Sequence, residues 1–115
     1  MAGAKRLVFR GSARADVLAA IDWYMDEGGE ALAERFVVAL NAAYAHVARH
    51  PATGSSRWAD ALGLGNLRHW SLKPFPYLVF YTEDTERIHI VRVLHGARDI
   101  PASLAEPGTE DGREQ

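Results

Sequence analysis

Residues 87–95, RIHIVRVLH, decide the fold. Apolar side chains fall on both sides of this run. Ile88, Ile90 and Leu94 are expected on one face, Val91 and Val93 on the other. A strand that is apolar on both faces belongs inside a sheet and is covered from both sides. Upstream, PYLVFYT (76–82) is nearly all apolar and LRHWSLK (67–73) alternates, so both read as strands. The polar link TEDTE (82–86) reads as the hairpin turn that joins the last two. KRLVFR (5–10) supplies a first strand, with Leu7 and Phe9 on one side.

Between the first strand and the others the periodicity changes. Val17, Ile21 and Tyr24 recur at helical spacing, flanked by Leu18 and Met25, and predict a helix over about 13–27. Ser12 is its expected N-cap and Asp16 suits the positive end of its dipole. Gly28-Gly29 end it, because glycine tolerates a left-handed backbone at a helix terminus. Leu32, Phe36, Leu40, Ala43 and Val47 form the stripe of a second helix, which Pro51 stops. A link this short makes the two helices an antiparallel hairpin.

The expected fold is therefore α+β in the order β-α-α-β-β-β, a helical hairpin packed on a mainly antiparallel sheet. The hairpin covers one sheet face. Little chain remains for the other, so an exposed apolar patch is expected there. PATGSSRWADALGLGN (51–66) reads as the longest loop, with Trp58 pinning it to the body.

The chain has 115 residues, 48% of them hydrophobic, which suits a single domain with one core. Residues 1–105 are read as that domain and 106–115 as a disordered acidic tail, where Glu106, Glu110, Asp111 and Glu114 oppose Arg113. The rest of the chain is near neutral, which argues against a surface that wraps nucleic acid. Cysteine is absent, so disulfides and thiolate chemistry are excluded and a reducing cytoplasm fits. No apolar run is long enough for a membrane span or a secretory signal.

Candidate chemistry concentrates at the end of the last strand. Arg92, His95 and Arg98 crowd VRVLHGARDI (91–100), and Arg68 lies on a strand that can pair nearby. Guanidinium forks match phosphate oxygens, and a histidine among them can move protons in RNA cleavage. Local ion pairs such as Arg98 with Asp99 are the simpler alternative. His46 and His50 share a helix face, but there is no H-E-x-x-H pattern and no acidic partner in a recognisable motif. No metal and no cofactor is expected.

Four stretches, in this order, carry a family resemblance: ARADVLAAIDWY (13–24), HPATG (50–54), LRHWSLKPFPYLVFY (67–81) and IHIVRVLHGARDIPASL (88–104). With them the chain resembles the ParE/RelE toxins of type II toxin–antitoxin systems over about residues 5–104. The resemblance implies the same β-α-α-β-β-β fold. It also implies a cognate antitoxin whose C-terminal segment folds as it wraps the toxin.

RelE-like members cut messenger RNA on the ribosome, whereas ParE-like members poison DNA gyrase without being enzymes. PFPYLVFY and RVLHGARDI look like the ParE branch. The RNA-cleaving branch places an arginine after the tyrosine of the middle strand, where this chain has Leu78. It also has a tyrosine shortly after the final arginine, where this chain has Leu104. Arg98 matches the family's arginine after the last strand. The resemblance thus implies a cytoplasmic gyrase inhibitor, neutralised by its antitoxin. Arg68, Trp70, Arg92, His95 and Arg98 are then contacts for target or antitoxin, and no residue is catalytic. The runner-up is an mRNA endonuclease using Arg92, His95 and Arg98.

Overall fold

A computed structural model describes residues 3–62, 65–97 and 100–105, with the side chains of 61 and 62 left aside. The sheet has four strands, β1 (Arg6–Phe9), β2 (Arg68–Ser71), β3 (Tyr77–Glu83) and β4 (Arg87–His95), in the order β1-β4-β3-β2. Neighbours pair antiparallel except β1 and β4, which are parallel. The run that is apolar on both faces is thus an inner strand, as its pattern predicts.

One helical segment, α1 (Gly11–Arg49), follows β1 and is interrupted at Gly29, where φ is +78° and ψ −170°. That backbone region is essentially closed to residues with a Cβ. The break gives two arms, 11–28 and 30–49. They lie antiparallel: the Tyr24 ring meets Phe36 at 5.1 Å, and residues 13–21 line a common groove with 37–44. The expected hairpin is present. Gly29→Ala should lower stability by about 1–3 kcal/mol, read as a shifted urea midpoint with an unchanged slope.

The first arm begins earlier than expected, and Ser12 is not its cap. Helix starts at Gly11 near the end of β1, and Arg10 holds the cap position without a side-chain capping bond. Ser12 instead donates its hydroxyl to the Val91 carbonyl at 3.0 Å. The reason lies in unequal strand lengths. β1 pairs with β4 only as far as Ile90, so β4 continues beyond it with an unpaired edge. Arg10 N–H closes on the Ile90 carbonyl, Ser12 takes Val91, and Asp16 accepts the Val93 N–H at 2.9 Å. The start of the helix thereby satisfies a backbone edge that would otherwise invite another strand.

Between the hairpin and the sheet lies the larger core cluster, built around Phe36, Leu40, Val47, Val79, Ile88 and Val93. Phe36 is fully buried, and its ring packs against those of Tyr24, Phe75 and Tyr77. β4 does not alternate as its sequence suggests. Tyr81 pairs with Ile90 and Phe80 with Arg92, so Val91 is an extra residue that resets the parity. Val93 consequently joins Ile88 and Ile90 under the helices, while Leu94 turns to the opposite face with Val91.

That opposite face is covered by the chain itself. The expected loop contains α2 (Arg57–Leu62), and α3 (Ile100–Leu104) follows β4. Trp58, Ala59, Ile100 and Leu104 pack over Phe80 and Leu94 there. The apolar patch expected on this face is therefore closed, and Trp58 does pin the segment.

HPATG (50–54) also has a structural reason. Pro51–Thr53 form a 3-10 turn, and the Tyr81 hydroxyl donates to the Pro51 carbonyl at 2.6 Å. A methyl group at Gly54 would overlap that hydroxyl. At the β3–β4 turn, Asp84 accepts the N–H groups of Glu86 and Arg87 and faces His89 at 3.0 Å. The His89 hydrogen bond, then those two N–H groups, hold the Asp84 carboxyl well below the usual carboxylate range. A depressed carboxylate stabilises the fold above its unfolded pKa of about 3.9, and that contribution is lost as pH falls through the folded value. Below about pH 4 the native chain should therefore lose Tm faster than an Asp84→Ala variant in parallel melts.

Candidate functional site

Among the described residues, those singled out in the sequence make separate contacts. Arg92 lies opposite Phe80 and its fork grips Asp16, Nε to Oδ2 at 2.8 Å and Nη2 to Oδ1 at 2.9 Å. Nη1 donates to the Ser103 carbonyl at 2.8 Å. Both ion-pair side chains are only 11% exposed. Arg92 therefore ties the first arm to α3 across the free edge of β4. Bidentate pairing of this kind leaves little of the guanidinium for a substrate phosphate.

His95 ends β4 beside Tyr77, ring centroids 5.2 Å apart, and is exposed. Its Nδ1 accepts the Ala97 N–H at 3.0 Å, so in the neutral ring the proton sits on Nε2. Arg68 donates to the Gly54 carbonyl at 2.8 Å and so secures the turn after the second arm. Trp70 stacks on His46, centroids 3.8 Å apart and planes 15° off parallel. His46 Nε2 in turn meets the Thr53 hydroxyl, which is itself donated to the His50 carbonyl. The His46 Nε2 must then be the donor, and the ring is engaged in packing. Among the described residues no group of three potential ligands is placed to hold a metal. Arg98 lies outside the described residues, as does the 106–115 tail.

His69, on the other side of β2, packs against Phe80. Burial, and then the charge of Arg57, lower its pKa. Its neutral form is therefore favoured in the folded chain, which suits a packing role.

A different surface stands out. The groove between the two arms has a volume of about 600 Å³, with Val17, Ile21, Val37 and Leu40 along it. Leu18 on its wall is 63% exposed. Met25, seven residues on from Leu18, is 45% exposed, whereas Val38, 64% exposed, lines a separate hollow with Pro74 and Phe75, and Trp23 is 55% exposed. An apolar channel open to solvent, with Leu18 exposed on its wall, marks an interaction surface. One end of the groove is polar: Arg14, Asn41 and Tyr44 line it, the Tyr44 ring packing edge-on against Phe9 at 5.1 Å. Burial pushes the Tyr44 hydroxyl up to about 12. A second hollow, about 470 Å³, separates the other flank of the second arm from β2 and is lined by Ala39, Ala42, Ala43 and Trp70.

This groove was not found by periodicity, which sorted residues into buried and polar faces. The available signal was that Leu18 and Met25, seven residues apart, share a flank of the first helix outside the Val17–Ile21–Tyr24 stripe.

Among the described residues no helix is long and apolar enough to cross a membrane. None of the curated proteins compared with the chain matches it. Among solved structures it is similar to a chain of the chromosomal ParDE toxin–antitoxin system from P. aeruginosa, at 20% identity and a TM-score of 0.66. The match covers 79% of this chain and 95% of that one, and it shows a shared fold. Residues 7–100 match the model of the ParE toxin of the type II toxin–antitoxin system parDE. That match spans most of the sequence, from β1 to the start of α3, and the chain belongs to the ParE toxin family.

Proposed function

We propose that this toxin acts in the cytoplasm by binding rather than by catalysis, that it inhibits DNA gyrase, and that a cognate antitoxin neutralises it. The observation that carries the reading is the state of Arg92. A nuclease built on Arg92, His95 and Arg98 needs free cations around a scissile phosphate. Arg92 instead spends its fork on Asp16 and the Ser103 carbonyl. Gyrase as the target rests on membership of the ParE rather than the RelE branch, supported by Leu78 and Leu104 at positions where the RNA-cleaving branch carries an arginine and a tyrosine.

The antitoxin's place in this reading is the groove between the helical arms. An apolar channel between two helices suits the apolar face of a third, laid in as the partner segment folds. Leu18 then passes from solvent into the interface, and Val17, Ile21 and Val37 are covered with it. The test mixes purified toxin with gyrase, relaxed plasmid and ATP. Supercoiling should fail and return when the antitoxin encoded beside this chain is added first. Normal supercoiling in the presence of toxin that stops cell growth would overturn the gyrase assignment.

A further inference from the structure

The groove is not uniformly apolar, and its polar end specifies more than a hydrophobic partner. Arg14 and Asn41 are exposed, and Tyr44 is half-buried between them and Phe9. None of the three side chains makes a hydrogen bond or ion pair with another described residue. No carboxylate is among the residues that line the groove. One guanidinium, one amide and one phenol therefore converge on the same end with their donors unspent, and the positive charge has no local counterion. Arginine is suited to planar, two-pronged recognition of a carboxylate. The Tyr44 hydroxyl has already lost part of its hydration by burial, so a partner group that reaches it restores a bond already partly missing.

Building on the groove reading above, we propose that Arg14, Asn41 and Tyr44 form a carboxylate-reading end of the antitoxin groove. The segment that docks there carries an Asp or Glu, one or two turns from its apolar stripe, whose carboxylate accepts bonds from all three side chains. The apolar channel supplies most of the contact area, and the polar end fixes register and discriminates among related antitoxins. A helix with an apolar residue at that position would leave the Arg14 charge buried and unpaired, which disfavours the wrong partner more than it helps the right one.

The experiment measures affinity between full-length toxin and the antitoxin encoded beside it, by titration calorimetry, with Tm of each toxin variant as a check on folding. Arg14→Gln should weaken the complex roughly 10- to 100-fold and Tyr44→Phe about 10-fold, because each removes a bond to a charged group. Both variants should melt within a few degrees of wild type. Each Asp and Glu of the antitoxin's toxin-binding region is then changed singly to Asn or Gln. One of these changes should weaken the wild-type complex as much as Arg14→Gln does, and should cause little further loss against the Arg14→Gln toxin.

Leu18→Asp separates the two levels of the argument. If Leu18→Asp destroys binding while Arg14→Gln and Tyr44→Phe change it by less than about twofold, the groove is the site and the carboxylate assignment is wrong. The assignment also falls if no antitoxin carboxylate couples to Arg14. If Leu18→Asp leaves binding intact, the groove reading fails and this inference fails with it.

Discussion

Asp16→Ala should cost about 3–5 kcal/mol of folding stability, because it leaves the Arg92 guanidinium charged and without its partner in a site only 11% open to water. Small domains have only about 5–15 kcal/mol in total, so the loss should remove a large share of the stability and lower Tm by about ten degrees or more, on the order of 4–8 °C per kcal/mol. Two separate losses contribute. The ion pair goes, and so does the carboxylate acceptor of the Val93 N–H on the unpaired stretch of β4. Arg92→Ala should be nearly as harmful, since it strands Asp16 and releases the Ser103 carbonyl that anchors α3. An apolar pair, Asp16→Leu with Arg92→Met, should recover part of the loss, because neither charge is then left alone. Urea unfolding of wild type, Asp16→Leu, Arg92→Met and the double variant gives the coupling energy directly. If Arg92→Ala kept the wild-type midpoint but abolished toxicity, Arg92 would return to the functional surface.

The second large effect concerns the partner. Leu18→Asp places a carboxylate on the wall of the groove at a residue already 63% exposed, so the free toxin should keep its Tm. Antitoxin affinity should drop on the order of 100-fold, because docking would bury that charge against an apolar helix with nothing to pair it. Val38→Asp, equally exposed but facing the separate hollow with Pro74 and Phe75, should leave affinity unchanged. Asp22→Asn on the outer surface is the control for a general effect of charge. Unchanged affinity for Leu18→Asp would move the antitoxin elsewhere, with the hollow beside Trp70 as the next place to look.

The elements that could be read from sequence were those whose signal is local. The break at Gly29 combines a lapse in the apolar stripe with a residue that alone suits a φ of +78°. The central position of β4 follows from its having no polar side. The same property hid its bulge. When both faces are apolar, a one-residue reset at Val91 leaves no trace in the pattern, and Leu94 was placed on the wrong side. Ser12 looked like a cap because its type and position were right, yet the structure uses its hydroxyl on a strand about 80 residues away in sequence, as the Ser12 to Val91 bond shows. Arg92 has the same lesson for function. Its partner Asp16 is 76 positions upstream, and no spacing rule connects them. The cover of the second face was missed because α2 and α3 are too short to announce themselves, at six and five residues.

The candidate site was the less legible part. Arg68, Trp70, Arg92 and His95 were chosen for their chemistry near one end of the sheet, and the fold sends them to separate tasks: a turn, a stacked ring, an internal ion pair and a strand end. The groove exists only because two helix flanks, each unremarkable alone, meet across the hairpin. Binding surfaces of this kind are made by tertiary pairing, and side-chain type is a poor guide to them.

The most direct test of the central claim, that this toxin poisons by contact and not by cutting RNA, compares wild type with His95→Ala. Both are incubated with gyrase, supercoiled plasmid and ATP, and in parallel with ribosomes programmed with messenger RNA. The account predicts trapped double-strand breaks with both proteins, prevented by antitoxin, and intact messenger RNA in both. Cleaved messenger RNA with wild type, lost in His95→Ala, together with an unaffected plasmid, would contradict it.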